Sequence, residues 1–486
     1  MEENTFERVD FRSGCSINRL ENLINVFDEF DRHEFDDQMA MEVHTMKEHI
    51  FNILGDVQKL DGKLPVANEY LLLSGGARDG TLDIDVDGPG EMARGNDFDL
   101  DYTLFVPILK LHDRNQPVVL DMRHSIPCHS WLSLKLFDDE TISRWESCCC
   151  AVEQQGETNY YLSPPKVCEW FHDALLKVTD EVKAKPKRGN PTILTVSNNG
   201  LATTIILNSG GTRIMYDLVP VVSFRGWPAV AMGWLSETHF WDGIIPEEEV
   251  ITGFHLVPAC SLTGNKDVEW RLSFARSEVQ LKRFIPMPFM KTFYAFKAVM
   301  NRALGRYSKV IKPYILRGLL LWACDRVKLH YLACDETISE CLLGLIDDTL
   351  QCLLSRSCPN YFIPQYNMIG HLDDKTMLKL CQVVLMVRSD PAEHVRNAVD
   401  QVKAARALTK NYHDKQLKEL TLRKDITGVN GDTITKPVVG ADSRQELDLA
   451  EKVKRLVDSN PGKSISVFLN PDDASQPHFR IDGKFF

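Results

Sequence analysis

Ser74-Gly75-Gly76 closes an apolar run, Glu69–Leu73, that reads as a strand. After an intervening stretch comes Asp97-Phe98-Asp99-Leu100-Asp101-Tyr102-Thr103-Leu104-Phe105-Val106. Successive strand side chains point to opposite faces, so Asp97, Asp99 and Asp101 share one face while Phe98, Leu100 and Tyr102 share the other. Carboxylates in a row repel one another. Such a row is tolerated where it faces open water or where cations neutralise it. Two readings therefore stand: a solvated strand face, or a divalent-metal site beside a turn at which Gly75 and Gly76 let a triphosphate approach the backbone closely.

A later strand bears on the choice. Arg213-Ile214-Met215-Tyr216-Asp217-Leu218-Val219-Pro220 sets one acid in the middle of an apolar run, and an isolated buried carboxylate is costly, so Asp217 needs a partner. A Gly-Gly turn, alternating acids on one strand and a distal acid on another form the general pattern of a nucleotidyltransferase. The chemistry explains the residue types: two magnesium ions about 4 Å apart activate a hydroxyl and neutralise a triphosphate leaving group, and hard oxygen ligands suit them. Asp83-Ile84-Asp85 is a rival acidic pair, but it lies between Gly80 and Gly88-Pro89-Gly90, which reads as loop.

The 486 residues, 44% of them hydrophobic, allow two or three domains with a proper core. A net charge of -12 argues against a chain built mainly to hold nucleic acid. No apolar run reaches the roughly 18 residues of a membrane span, and Met1–Asp10 is acidic and polar. The expected location is cytoplasmic, with the nucleus as the alternative. The 13 cysteines are scattered, several within apolar helical runs (Cys324, Cys341, Cys352, Cys381), which fits reduced thiols and no disulfide framework. Cys148-Cys149-Cys150 and Cys128-His129 lack the paired spacing of a structural zinc site, so no zinc is expected.

Apolar residues at helical spacing from Ile17 to Leu60 predict one or two long helices. Strands dominate from Tyr70 to about Leu136, including Val118–Met122 and Trp131–Phe137. A helix follows over Pro164–Lys183, then strands at Thr192–Val196, Ala202–Leu207 and Thr212–Val222. The basic run Lys183–Arg188 reads as a soluble loop, with a nucleic-acid or import role as the lesser alternative. Beyond Trp270–Phe274 the pattern turns helical: Pro288–Leu304, Pro313–Val327, Ile338–Ser355, Lys375–Arg388 and Ala392–Leu420. A short helix at Gln445–Val457 and strands near Ile465–Leu469 and His478–Ile481 complete the chain.

Several segments carry a family likeness: Pro65–Gly76, Lys110–Pro117, Trp270–Lys282, Cys358-Pro359-Asn360-Tyr361-Phe362-Ile363-Pro364 and Lys463–Phe468. On these the chain resembles the Mab-21 family, relatives of cyclic GMP-AMP synthase. The resemblance aligns the acid-Phe-acid pattern with Asp97 through Leu104. It implies Asp97, Asp99 and Asp217 as catalytic metal ligands for Mg2+, or Mn2+, and leaves Asp101 outside the pair. It implies nucleotide contacts from Gly75, Gly76, Arg271, Ser273 and Glu278, a phosphate contact from Lys297 and base stacking by Tyr314. Pro313, Ala275 and Gly76 stand where the synthases have serines. No Cys or His lies between Glu278 and Lys297, so the zinc loop of the DNA-sensing synthases is absent, and the acidic first helices disfavour double-stranded DNA as a partner.

The fold expected is α+β and two-lobed: a mixed-sheet nucleotidyltransferase lobe with its N-terminal helix (1–275), a helical lobe (276–422), a flexible linker (423–443) and a C-terminal extension (444–486). The expected function is nucleotidyl transfer from ATP or GTP, with a cyclic dinucleotide as one product. The alternative is a catalytically silent scaffold that keeps the fold and engages protein partners through its C-terminal extension. An RNA-activated sensor rests on Lys183–Arg188 alone.

Overall fold

The computed structural model of the chain describes residues 14–31, 37–64, 71–74, 100–111, 119–122 and, with a few short gaps, 126–404, together with three strands between 465 and 485. Gly75, Gly76, Asp97, Asp99, the linker expected at 423–443 and the helix expected at Gln445–Val457 lie outside the described residues. The chain divides into two units, Met1–Arg406 and Ala407–Phe486.

The N-terminal helical pattern resolves into α1 (Gly14–Asp31) and α2 (Asp37–Asp61). Their buried stripes, Leu20, Ile24 and Phe27, then Met46, Ile50, Ile53, Leu54 and Val57, recur at helical intervals. The strands of the first unit are β1 (Leu71–Ser74), β2 (Leu100–Leu111), β3 (Leu120–Asp121), β4 (His129–Leu132), β5 (Cys149–Gln154), β6 (Glu157–Leu162), β7 (Thr192–Asn198), β8 (Thr203–Ser209), β9 (Thr212–Phe224), β10 (Phe254–Val257) and β11 (Glu269–Ser273). Its main later helices are α3 (Pro164–Ala184), α4 (Ala275–Lys282), α5 (Met287–Leu304), α6 (Pro313–Arg326), α7 (Ile338–Ser355) and α8 (Asp374–Ser389), and residues 391–404 are also helical.

The main sheet runs β1-β2-β9-β10-β11-β4-β3, with β8 on the first half of β9 and β7 beyond it. Only β2 and β9 pair in parallel among its described ladders, so the sheet is mixed. Along β9, Thr212, Ile214, Tyr216 and Leu218 are buried, while Arg213, Met215, Asp217 and Val219 are half-buried. This alternation is what a strand shows when one face meets the core. The buried face packs on α2 and α3, and Tyr102 stacks on Tyr216 at 5.4 Å across the parallel pair. Helix α3 begins with Pro164 and Pro165, where missing N–H groups cost nothing, and buries Val167, Phe171, Ala174, Leu175 and Val178.

The structure shifts several expected boundaries. β1 takes in Ser74, paired with Tyr102, where the sequence placed the turn. β4 stops at Leu132, because Phe137 N–H bonds Leu134 O and Lys135 N–H bonds the Ser133 hydroxyl, folding that stretch into turns. The described part of β2 begins at Leu100. The hairpin β5–β6 and the short strand β10 lie where no strand was expected. The helical run from α5 to α8 follows the predicted spacing closely, and Asp373 caps α8 by accepting from Thr376 N–H at 2.7 Å.

Gly253 opens β10 at φ +148, and a Cβ there would lie 2.2 Å from the carbonyl oxygen of Phe224. Backbone cannot yield as a side chain can. Gly253→Ala is therefore expected to lower stability by about 2–3 kcal/mol, measured as a reduced urea midpoint with an unchanged slope.

The second unit contains an antiparallel sheet in the order β12 (Ile465–Asn470), β13 (Asp473–Ile481), β14 (Lys484–Phe485). Ile465 faces Ile481 and Phe468 faces His478, with a bulge between Phe468 and Asn470.

Candidate functional site

Asp217 sits mid-way along β9 on the sheet face opposite α2 and α3. Thr103 of β2 lies beside it on one side and Thr204 of β8 on the other. The Thr204 hydroxyl donates to Asp217 Oδ1 and in turn accepts from Asn199 Nδ2 at 2.5 Å. Burial lifts the Asp217 carboxyl above the ordinary carboxylate range, with the Thr204 hydrogen bond opposing the rise. The partner this acid required is thus a threonine. Asp101, half-buried, lies opposite Met215, two residues short of the Asp217 row.

The same face continues across β10 and β11. Phe105, Val221, Val257 and Ala275 form a small apolar floor, edged by Val219 and Ala259. Beside it lies His255, fully buried against the Phe105 ring at 5.3 Å. Burial, with Arg276 nearby, pulls its pKa down to about 3, so the imidazole is neutral. Ser273 of β11 pairs opposite His255, and Arg271 pairs between Val257 and His129.

Beyond the floor, the Arg271 guanidinium lies over the Tyr314 ring at the start of α6, 4.7 Å from its centroid. Glu278 of α4 accepts from Arg317 Nε of α6 at 3.1 Å, one turn beyond Tyr314. Tyr366 closes this group. Burial foremost, with Tyr314 nearby, holds its phenol well above the ordinary tyrosine value. His129 meets its ring edge-on at 5.5 Å. Cys128 lies close to Arg271 and Glu278, and burial pushes its thiol up to about 12. It adopts φ 73, a conformation that non-glycine residues rarely take and that clusters at functional sites.

Of the residues singled out in the sequence, Arg271, Tyr314 and Glu278 come together, Ser273 lies on the same sheet face, and Asp217 lies on that face across the apolar floor. Lys297 is half-buried on α5, a separate helix from those holding the pair. Thr204, Tyr366, His129 and Cys128 were not among the candidates. Tyr366 lies two residues beyond the quoted Cys358–Pro364 segment, and Thr204 shows only the alternation of β8, a signal too common to single it out. Among the described residues no group of three metal-ligating side chains converges.

Two families match this chain. The Mab-21 protein nucleotidyltransferase domain covers residues 92–281 and the Mab-21 protein HhH/H2TH-like domain covers residues 286–385, together more than half of its length. The chain belongs to the Mab-21 family. The nucleotidyltransferase match spans the Asp217 strand and Arg271; the second match contains Tyr314. Similar full-length relatives include Transmembrane protein 102 of Bos taurus, 27% identical over 494 residues and covering 82% of this chain and 93% of that protein. The Mus musculus protein of the same name is 25% identical over 488 residues, covering 82% and 92%. A Protein mab-21-like of Drosophila pseudoobscura pseudoobscura is 28% identical over 116 residues, covering 23% of this chain and 28% of that protein. No described helix of this Mab-21 protein is long and apolar enough to cross a membrane.

Proposed function

We propose that this Mab-21 protein is a magnesium-dependent nucleotidyltransferase acting on ATP or GTP, a cyclic dinucleotide being one product such a site can form. The observation that carries the reading is the half-buried Asp217 carboxylate, beside the strand whose preceding residues are Asp97 and Asp99. Its donor set suits a hard divalent cation. A carboxylate held out of water with one hydroxyl partner is costly, and a cation would offset that cost. Asp97, Asp99 and Asp217 would hold the metal, magnesium or manganese, which when bound supplies charge neutralisation at the triphosphate and acidifies the attacking hydroxyl. Asp217 is the acid placed to take up that proton, since burial already raises its basicity.

The remaining roles follow from the other end of the face. Arg271 offers a charged donor pair to phosphate or base, Tyr314 a ring for stacking, and the apolar floor a dry surface between this pair and Asp217. Arg271→Ala and Tyr314→Ala are each expected to weaken nucleotide binding about tenfold, in line with roughly 1–3 kcal/mol for one base stacked on an aromatic ring. Titration calorimetry with ATP and with GTP checks this. Gly75, Gly76, Ser273, Glu278 and Lys297 complete the proposed nucleotide contacts.

Three observations favour the scaffold reading instead. Arg271 already covers Tyr314, Glu278 is engaged by Arg317, and Ala275, in place of a serine, belongs to the apolar floor. Product formation separates the two readings. The protein is incubated with labelled ATP and GTP and magnesium or manganese, with and without double-stranded RNA, beside an Asp97→Ala/Asp99→Ala variant. A labelled product that vanishes in the variant supports transfer. No product in any mixture, together with no metal-dependent thermal shift by nucleotide, contradicts it.

A further inference from the structure

The loop between β10 and β11, residues 258–268, takes no part in the chemistry above, yet it encloses a carboxylate. Glu269 opens β11 and is fully buried. Its N–H and that of Val268 both bond Asn265 O, at 2.9 and 3.2 Å, and Asn265 Oδ1 accepts from Asp267 N–H at 3.0 Å. The loop thus closes in a tight turn directly before the strand, and the Glu269 side chain lies under it. There Ser261 N–H donates to Glu269 Oε1 at 2.6 Å. Gly264 comes so close that a Cβ would collide with both carboxylate oxygens, so only glycine fits at that position.

Two side-chain oxygens of this enclosure, Glu269 Oε2 and Ser261 Oγ, are buried with no hydrogen-bond partner among the described residues. They are neighbours, because Ser261 grips the same carboxylate through its N–H. A buried carboxylate held by one hydrogen bond is costly unless a cation pairs with it. The nearby basic groups do not supply that cation. Arg271, two residues along the same strand face, lies over the Tyr314 ring. His129, paired across from Arg271, is neutral, since burial lowers its pKa more than the Glu269 charge raises it. Lys266 is exposed.

We propose that this loop binds one monovalent alkali cation between Glu269 Oε2 and Ser261 Oγ. The inference does not depend on the nucleotidyltransferase reading. Both donors are oxygens, the ligands that hard cations take. One carboxylate carries one charge, which a monovalent ion cancels. A divalent ion would leave a net positive charge buried at the start of the strand that already bears Arg271. Entry is short, since Cys260, Leu262 and Thr263 on either side of Ser261 are exposed, and water would complete the shell. The ion would fasten the loop to the first residue of β11, the strand that carries Arg271 and Ser273.

The full-length protein is melted in potassium, sodium and tetramethylammonium chloride at equal ionic strength, the last cation being too bulky to enter. The expected result is a melting temperature higher by about 2 °C or more in potassium or sodium, saturating with concentration. The ion giving the larger rise is the better fit. Glu269→Gln keeps the side-chain shape and removes the charge. It is expected to lose the alkali-dependent rise and to melt no lower than the wild type in tetramethylammonium. Ser261→Ala, which keeps the N–H bond to the carboxylate, should shrink the rise and move its half-saturation to higher concentration. The proposal is overturned if the wild type melts alike in all three salts, or if Glu269→Gln keeps the rise. Should Glu269→Gln fail to fold, an unchanged rise and half-saturation in Ser261→Ala overturns it.

Discussion

Asp325→Ala is expected to lower the stability of this protein by about 3–5 kcal/mol, the range for breaking a buried ion pair by removing one partner. Asp325 lies on α6, and its Oδ2 accepts from His239 Nδ1 at 2.9 Å, with both side chains buried. Its Oδ1 accepts from Phe240 N–H at 2.9 Å. His239 Nε2 meets Trp234 O at 2.8 Å. A carbonyl and a carboxylate both only accept, so both ring nitrogens donate and the imidazole carries a charge. Trp234 and Trp241 both lie against the imidazole, at 4.2 and 5.6 Å, and 5.7 Å from each other, a favourable setting for a cation. The segment that follows β9 is thereby fastened to the helical lobe, where Tyr361 and Phe362 pack against Trp234.

The pair also sets a pH dependence. Burial lowers the pKa of His239, but the Asp325 hydrogen bond, the Trp234 carbonyl and the charges of Asp325 and Asp242 outweigh it, and the net shift is upward. A histidine whose folded pKa is raised contributes stability fully below its unfolded value, about 6.5, and loses it as pH rises through the folded pKa. The wild type should thus lose more stability than Asp325→Asn as pH rises from about 6 to 8. Urea unfolding of both proteins across that window checks it. Parallel pH profiles would show that His239 is neutral when folded.

The second large effect is chemical rather than structural. Asp217→Asn keeps the shape of the side chain, preserves an acceptor for the Thr204 hydroxyl and removes a charge that burial disfavours. The melting temperature should hold or rise. Nucleotidyl transfer should fall by at least about 100-fold, the scale seen when one group that stabilises transition-state charge is removed. A variant that melts early and is inactive would reveal only unfolding. A variant with intact melting and full activity would remove Asp217 from the mechanism.

The α+β architecture was legible because its periodicities are clean. Buried residues alternate along β9 from Thr212 to Leu218, and the stripes of α2, α3 and α7 recur at helical spacing. Asp217 stood out because an acid interrupts an apolar strand. Short buried strands were harder: Phe254–Val257 is buried on both faces, and a run of four such residues has no period to read. The hairpin β5–β6 was hidden for the opposite reason, since much of its outer half is exposed. Site partners were least legible. Tyr366 and His129 meet from distant parts of the chain, and although Thr204 is only 13 residues from Asp217, nothing local in the sequence marks a threonine as an aspartate's partner. Likewise, the turn that ends α7 depends on a left-handed arginine, Arg356, where sequence alone favours glycine.

The proposed transfer requires nucleotide and metal to bind together at Asp217. Titration calorimetry of ATP and GTP into the wild type and Asp217→Asn, each with magnesium and with a chelator, tests that directly. Binding that requires magnesium in the wild type and is lost in Asp217→Asn is the predicted result. Nucleotide binding of equal strength with and without magnesium, or unchanged in Asp217→Asn, would contradict it.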